Sequence, residues 1–314
     1  MIEEDKRIYD KVRNGERIDA AEALHLYQNT PLFLLASMAL DAKRAKSGDA
    51  VYYNKNFHVE PTNICCFRCK FCSYRKNEGE DGGWNMSLEE IEEYVKAHLT
   101  PETTEVHLVG GVNAQHTLER YCEVIALVRR LVGTKVCIKA FSAIEHIYVI
   151  EKAGLSFEEG IKQLIASGMD TITGGGAEIF DESIRSQICS DKASSDSWLR
   201  FHATAHRLGI KSNATMLYGH MESVEHRIDH MSRLRNLQDI TGGFTTFIPL
   251  KFRSQNNSMS YLGESAIIDD MRTIAISRIF LDNFPHIKAY SPMFGKARTQ
   301  QAILFGADDI DGTV

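Results

Sequence analysis

Long apolar runs are missing from this 314-residue sequence: the longest, Leu32 to Leu40 around Ser37, is about half of what a membrane-spanning helix needs. The acidic start Met1-Ile2-Glu3-Glu4-Asp5 lacks the positive region of a signal peptide, so a cytoplasmic protein with no membrane partner is expected. Positive charge is short as well, with 36 Lys and Arg against 42 Asp and Glu and a net charge of −6 at pH 7. That leaves no field to hold a polyanion, which sets nucleic acid aside in favour of small molecules. There is no fixed-period repeat, which removes solenoids and propellers. Only 6 prolines and 22 glycines, with 43% hydrophobic and 25% charged residues, exclude collagenous, disordered and coiled-coil chains.

What is present reads as one large α/β unit. To about Gly48 the pattern is helical, with Ala20 to Tyr27 and then Leu32 to Arg44 after Pro31. From Val51 short β-like runs (57–60, 105–109, 135–141, 171–173, 212–217 and 245–250) alternate with amphipathic stretches (88–98, 118–131, 157–165, 195–208, 224–238 and 265–284). Ile287 to Tyr290 and Ala302 to Phe305 could supply further strands. Such alternation predicts a parallel sheet, doubly wound or closed as a barrel. Several strand ends run into glycine or small polar residues: Gly110-Gly111, Ser142, Gly174-Gly175-Gly176 and Gly219. A rim built from many strand ends favours a (β/α) TIM-type barrel, full or partial, over a sheet with a single switch point. The expected organisation is a helical segment over 1–50 packed on a barrel over 51–314, with no linker between them.

Seven cysteines make an odd number, and Cys65, Cys66, Cys69 and Cys72 fall within eight residues, which points to metal in a reducing compartment. Cys65, Cys69 and Cys72 have C-x3-C-x2-C spacing, so three thiolates on one loop can hold three corners of a cubane iron–sulfur cluster and leave one iron open. A zinc site or a ferredoxin-like electron-transfer cluster are the alternatives, although zinc knuckles usually bring a second C-x2-C pair that is missing here. The i,i+4 pairs His202/His206 and His226/His230 have a spacing that can bind zinc but no glutamate in an H-E-x-x-H place, and surface or interhelix contacts are expected instead.

The cysteine loop, with Phe71 just before Cys72, resembles the signature of the radical S-adenosylmethionine (SAM) superfamily. The resemblance implies one [4Fe-4S] cluster on Cys65, Cys69 and Cys72, with Cys66 a neighbour, and SAM chelating the open iron. It also implies that Phe71, Gly110, Gly111, Ser142 and Glu178 bind SAM, although Val112 departs from the commoner acidic residue. Longer phrases narrow the resemblance to the menaquinone enzymes of the futalosine pathway, aminofutalosine synthases in particular. These are 58–63 (HVEPTN), 105–111 (EVHLVGG), 174–180 (GGGAEIF), 214–220 (ATMLYGH), 241–244 (TGGF), 247–250 (FIPL) and 305–314 (FGADDIDGTV).

That family adds the 5′-deoxyadenosyl radical to 3-[(1-carboxyvinyl)oxy]benzoate, with aryl migration and loss of carboxylate as bicarbonate, giving 6-amino-6-deoxyfutalosine. The resemblance also implies a low-potential electron donor such as flavodoxin or ferredoxin. Two carboxylates on the substrate need cationic or hydrogen-bonding partners, and Arg75, His58, His107 and Arg253 are the candidates. Two other functions remain open: dehypoxanthine futalosine cyclase, which uses the same radical for hydrogen abstraction, and a non-catalytic iron–sulfur electron carrier.

Overall fold

A computed structural model of the chain describes residues 2–313, so Met1 and Val314, the outer ends of the two expected segments, lie outside the described residues. Three helices come first: α1 (Glu3–Arg13), α2 (Ala20–Asn29) and α3 (Leu32–Ser47). Asp19 and Glu22 cap α2 reciprocally, each side chain taking the other's backbone N–H, and Pro31 precedes α3.

Eight strands follow: β1 (Tyr52–Val59), β2 (Glu105–Leu108), β3 (Cys137–Ser142), β4 (Thr171–Thr173), β5 (Lys211–Tyr218), β6 (Phe244–Lys251), β7 (His286–Ala289) and β8 (Asp309–Thr313). Between them run α4 (Leu88–His98), α5 (Leu118–Val132), α6 (Ala143–Lys152), α7 (Phe157–Ala166), α8 (Glu182–Ile188), α9 (Ser195–Arg207), α10 (Val224–Thr241), α11 (Ile267–Phe280) and α12 (Ser291–Leu304). The strands pair in chain order, all parallel, and β8 returns to β1, so the barrel is closed and complete. The leading helices lie against its outer ring, α2 on α10 and α11 and α3 on α11. Tyr27 of α2 donates to Asp269 at 2.8 Å, the same carboxylate that pairs with Arg227 at 2.9 Å.

Each strand has two unlike faces. Val59, Val106, Leu108, Ile138 and Ile287 are buried against the helices. The other face carries Asn56, Glu105, His107, Lys139, Lys288, Asp309 and Asp311, so this interior holds charges where barrel layers are usually branched aliphatics. Lys139 pairs with Glu105 at 2.9 Å and Lys288 with Asp311 at 3.2 Å, which offsets the cost of burying them.

One expected strand is corrected. Ala302 to Leu304 instead ends α12, with Phe305 as its C-cap; this helix opens at Ser291-Pro292 and is kinked at Gly295 (φ 73°). The eighth strand lies just beyond and was hidden by its composition, since Asp309 and Asp311 face the polar interior and break the apolar run of a buried strand. Helices α1, α6 and α8 were also not picked out individually. Among the described residues no helix is long and apolar enough to cross a membrane.

Candidate active site

The segment after β1 is tied down almost residue by residue. Thr62 Oγ1 donates to the Trp84 carbonyl at 2.8 Å, Asn63 Nδ2 to Gly82 O at 2.9 Å, and Lys76 N to Asn63 O at 2.9 Å. Further along, Lys70 N donates to Ile188 O and Ser258 N to Lys70 O, at 2.8 and 2.9 Å. The cysteine loop is therefore clamped between the end of α8 and the segment after β6.

All cysteines are free thiols. Cys69 is buried, Cys65 and Cys72 are half-buried, and Cys66 is exposed. Burial pushes the Cys69 thiol up to about 12, with Lys192 pulling against it. Cys65 Sγ accepts the Val112 N–H at 3.3 Å, the kind of bond that supports a cluster-bound thiolate. Among the described residues no three His, Cys, Asp or Glu side chains gather as they would around a single metal ion. Three soft donors strung along one anchored loop fit a multi-iron cluster.

Around the loop stand the ends of β2, β3 and β4. Gly110 and Gly111 lie directly on it: a Cβ at Gly111 would sit 2.5 Å from Ile64 O and one at Gly110 2.7 Å from Thr62 O. Gly111 N donates to Thr62 O at 2.7 Å, and Cys66 N to Val112 O at 2.8 Å. Ser142 caps α6, its hydroxyl bonded to Glu145 at 2.6 Å. Glu178 has a left-handed backbone (φ 49°), and its carboxylate accepts from Lys192 at 2.5 Å. Burial alone would lower the Lys192 pKa, yet Glu178 and the nearby Cys69 and Cys189 raise it above its ordinary value. The same ammonium lies 5.3 Å from the Phe71 ring centroid, so Phe71, Glu178 and Cys69 share one cation.

Deeper in, His58 and His107 are adjacent in register and stack with centroids 4.8 Å apart. His107 is bonded to Glu105, which also takes Lys139. Burial lowers the His107 pKa while Glu105 pulls it up. His58 Nε2 is buried with no partner among the described residues. His58 and Glu60 line a cavity of about 600 Å³ with Trp84, Tyr94 and Tyr290. A second, more polar cavity of about 930 Å³ borders Cys69 and Cys72 and includes Arg68, Arg75 and Lys76. Arg75 donates to Asn77 at 2.5 Å, and its Nε is buried and free of partners among the described residues. Arg253 stands apart, exposed, paired with Glu264 at 3.1 Å and bonded to Met293 O at 2.9 Å.

Of the expected site residues, the structure thus gathers Cys65, Cys69, Cys72, Phe71, Gly110, Gly111, Ser142 and Glu178 about one loop and sets His58 and His107 side by side. Sequence reasoning missed Lys192 and Glu145. Ser142-Ala-Ile-Glu145 is a capping-box signature that could have revealed Glu145, whereas nothing local marks Lys192. The two histidine pairs bond protein groups, mostly on the barrel strand β5: His202 and His206 both bond Ser212 Oγ at 2.8 Å, and His230 bonds Thr215 O at 2.9 Å, while His206 also bonds Thr241 of α10 at 2.8 Å and His226 bonds Ser223 at the start of its own helix at 3.1 Å.

Known proteins resemble this chain in sequence and in fold. The model of the Radical SAM superfamily matches residues 59–234. Aminodeoxyfutalosine synthase of Thermus thermophilus is 40% identical over 312 residues, covering 98% of this chain and 83% of that protein. A Methanosarcina mazei protein named 5-amino-6-(D-ribitylamino)uracil–L-tyrosine 4-hydroxyphenyl transferase 2 is 35% identical over 300 residues, covering 93% and 77%. In fold, the chain resembles the crystal structure of methylornithine synthase, with a TM-score of 0.77 at 16% identity over 97% of this chain and 85% of that one. With its family match spanning more than half of the chain, this protein belongs to the radical SAM superfamily and is an enzyme whose family works with a [4Fe-4S] cluster and SAM.

Proposed function

We propose that the protein is an aminodeoxyfutalosine synthase, joining the adenosyl group of SAM to 3-[(1-carboxyvinyl)oxy]benzoate with aryl migration and loss of one carboxylate. The observation that carries this reading is the 40% identity to a synthase of that name across 98% of the chain. When bound, the cluster and SAM supply the 5′-deoxyadenosyl radical. Cys65, Cys69 and Cys72 hold three irons, and Cys66, exposed, holds none. Gly110, Gly111, Ser142 and Glu178 border SAM, with Phe71 on the cluster side.

The substrate's two carboxylates go to the cationic side of the cavities. Arg75, with an unused buried Nε, takes one, and His58 and His107 line the interior for the other. Arg253 takes part only on leaving Glu264. A closed barrel positions the alkene and keeps out water and stray hydrogen donors. The electron comes from a low-potential donor such as flavodoxin or ferredoxin, in the cytoplasm.

A second reading has a specific support: relatives named as a tyrosine 4-hydroxyphenyl transferase are nearly as similar, 35% identical over 93% of the chain. The cyclase reading shares the same cluster. The electron-carrier reading is set aside by membership of an enzyme family. The test is anaerobic reconstitution with iron and sulfide, then reduction with SAM and each candidate substrate, with products read by mass spectrometry. An adenosylated product that retains the aryl group and lacks one carboxylate supports the synthase. Turnover confined to tyrosine with 5-amino-6-(D-ribitylamino)uracil, or to dehypoxanthine futalosine, overturns it in favour of the respective alternative.

A further inference from the structure

Glu145 is a buried carboxylate in the rim that none of the proposed roles uses. It is 2% exposed, in the first turn of α6, and it joins two strand ends. Its Oε1 accepts the Gly110 N–H at 3.0 Å, from the end of β2. Its Oε2 accepts the Ser142 N–H at 2.7 Å and the Ser142 hydroxyl at 2.6 Å, from the end of β3. Just before Ser142, Phe141 has φ 54°, a left-handed conformation unusual for a bulky residue, and the β3–β4 register shifts there. Such strain persists only where the surroundings hold it, and Glu145 supplies two of the bonds that hold it.

From Gly110 the connection continues to the cysteine loop. Gly111 N–H goes to Thr62 O, Cys66 N–H to Val112 O, and Val112 N–H to Cys65 Sγ at 3.3 Å. The 110–112 turn is thus fastened at one end to Glu145 and aims an N–H at a sulfur at the other. A donor on a cluster thiolate draws off electron density and favours the more negative, reduced state.

We propose that Glu145 is a positioning residue for the iron–sulfur cluster: by joining the ends of β2 and β3 it aims the Val112 N–H at the Cys65 sulfur and so raises the cluster's reduction potential. The proposal rests on Cys65 being a cluster ligand, and on no assignment of the substrate.

The test uses the reconstituted full chain without substrate. In protein labelled with ¹⁵N-valine, pulsed EPR of the reduced cluster is expected to show a ¹⁵N coupling that disappears in Val112→Ile, which keeps the N–H but loses the label. In Glu145→Gln one acceptor oxygen becomes an NH₂, so Gly110 or Ser142 loses its partner. The expected result is a roughly tenfold smaller equilibrium constant for reduction, about 59 mV lower in potential by EPR-monitored titration. If that variant does not fold, Glu145→Asp, too short to reach both strand ends, is measured with the same expectation. A wild-type cluster without the ¹⁵N coupling, or an unchanged potential in a folded, fully loaded Glu145 variant, overturns the proposal. Cys65→Ala tests the underlying ligand assignment separately: a full, unaltered cluster in that variant refutes the assignment itself.

Discussion

Gly111→Ala is expected to destabilise the protein before any ligand binds. The added Cβ would lie 2.5 Å from Ile64 O, 2.9 Å from Ile64 C and 3.0 Å from Asn63 C, all backbone atoms that cannot rotate away. The segment they belong to is pinned by Gly111 N to Thr62 O at 2.7 Å, Cys65 N to Lys76 O at 3.1 Å and Ile64 N to Thr62 Oγ1 at 3.1 Å. Relief requires the cysteine loop to move off the end of β2 and stretch those bonds. Overpacking of this kind costs about 1–3 kcal/mol, a fall in Tm of roughly 2–10 °C for a chain of this size. Calorimetry of the metal-free protein measures it, with iron and sulfide content after reconstitution as a second readout. Gly175→Ala is the control on the same rim, since its nearest neighbour, Ser142 Cβ, is 3.3 Å away and asks for a shift of only a few tenths of an ångström. If Gly111→Ala melts within about 1 °C of the wild type and loads a full cluster, the reasoning is refuted.

Other expectations follow from the same contacts. Lys192→Met leaves Glu178 buried without its cation and should cost about 3–5 kcal/mol in urea unfolding, most of it recovered by adding Glu178→Gln; equal losses in both would contradict the pairing. Burial raises Glu145 from 4.5 to about 7 against the pull of the Ser142 and Gly110 bonds. The folded state therefore binds more protons between those values, so its contribution, about 3 kcal/mol, is complete below pH 4.5 and lost as pH rises through 7. Glu145→Gln should flatten that part of the stability–pH curve, and an unchanged slope would assign it to other groups. Cys66→Ser should retain full iron and the EPR signal of the reduced cluster while Cys65→Ser loses them, whereas equal loss would make Cys66 a ligand. Arg75→Ala should raise KM for a dicarboxylate substrate about tenfold or more, against little change in Arg253→Ala, because Arg75, unlike the exposed and paired Arg253, has a buried unused donor; the reverse order would move the carboxylate site.

Local pattern carried the sequence reading a long way, and its failures have physical causes. Period-two and period-3.6 patterns located seven of the eight strands, because their outer faces are apolar against helices. The strand missed, Asp309–Thr313, carries acidic residues that pair with Lys288 on a neighbouring strand, and no local pattern reports a cross-strand partner. The cysteine loop was legible because four cysteines lie in one short segment. Lys192 was not, since its meaning arises only where the β4–α9 connection returns it to Glu178, Phe71 and Cys69.

The sequence by itself determined the β/α alternation, the C-x3-C-x2-C loop and the glycine-marked strand ends, each written within a few consecutive residues. Only the tertiary structure decided that the barrel closes, that its interior is charged, that His58 stacks on His107 while Arg253 turns to Glu264, and that Glu145 holds the rim. These depend on register and on contacts between residues far apart in the chain, where the energy of a buried charge is settled by which partner the fold brings within reach.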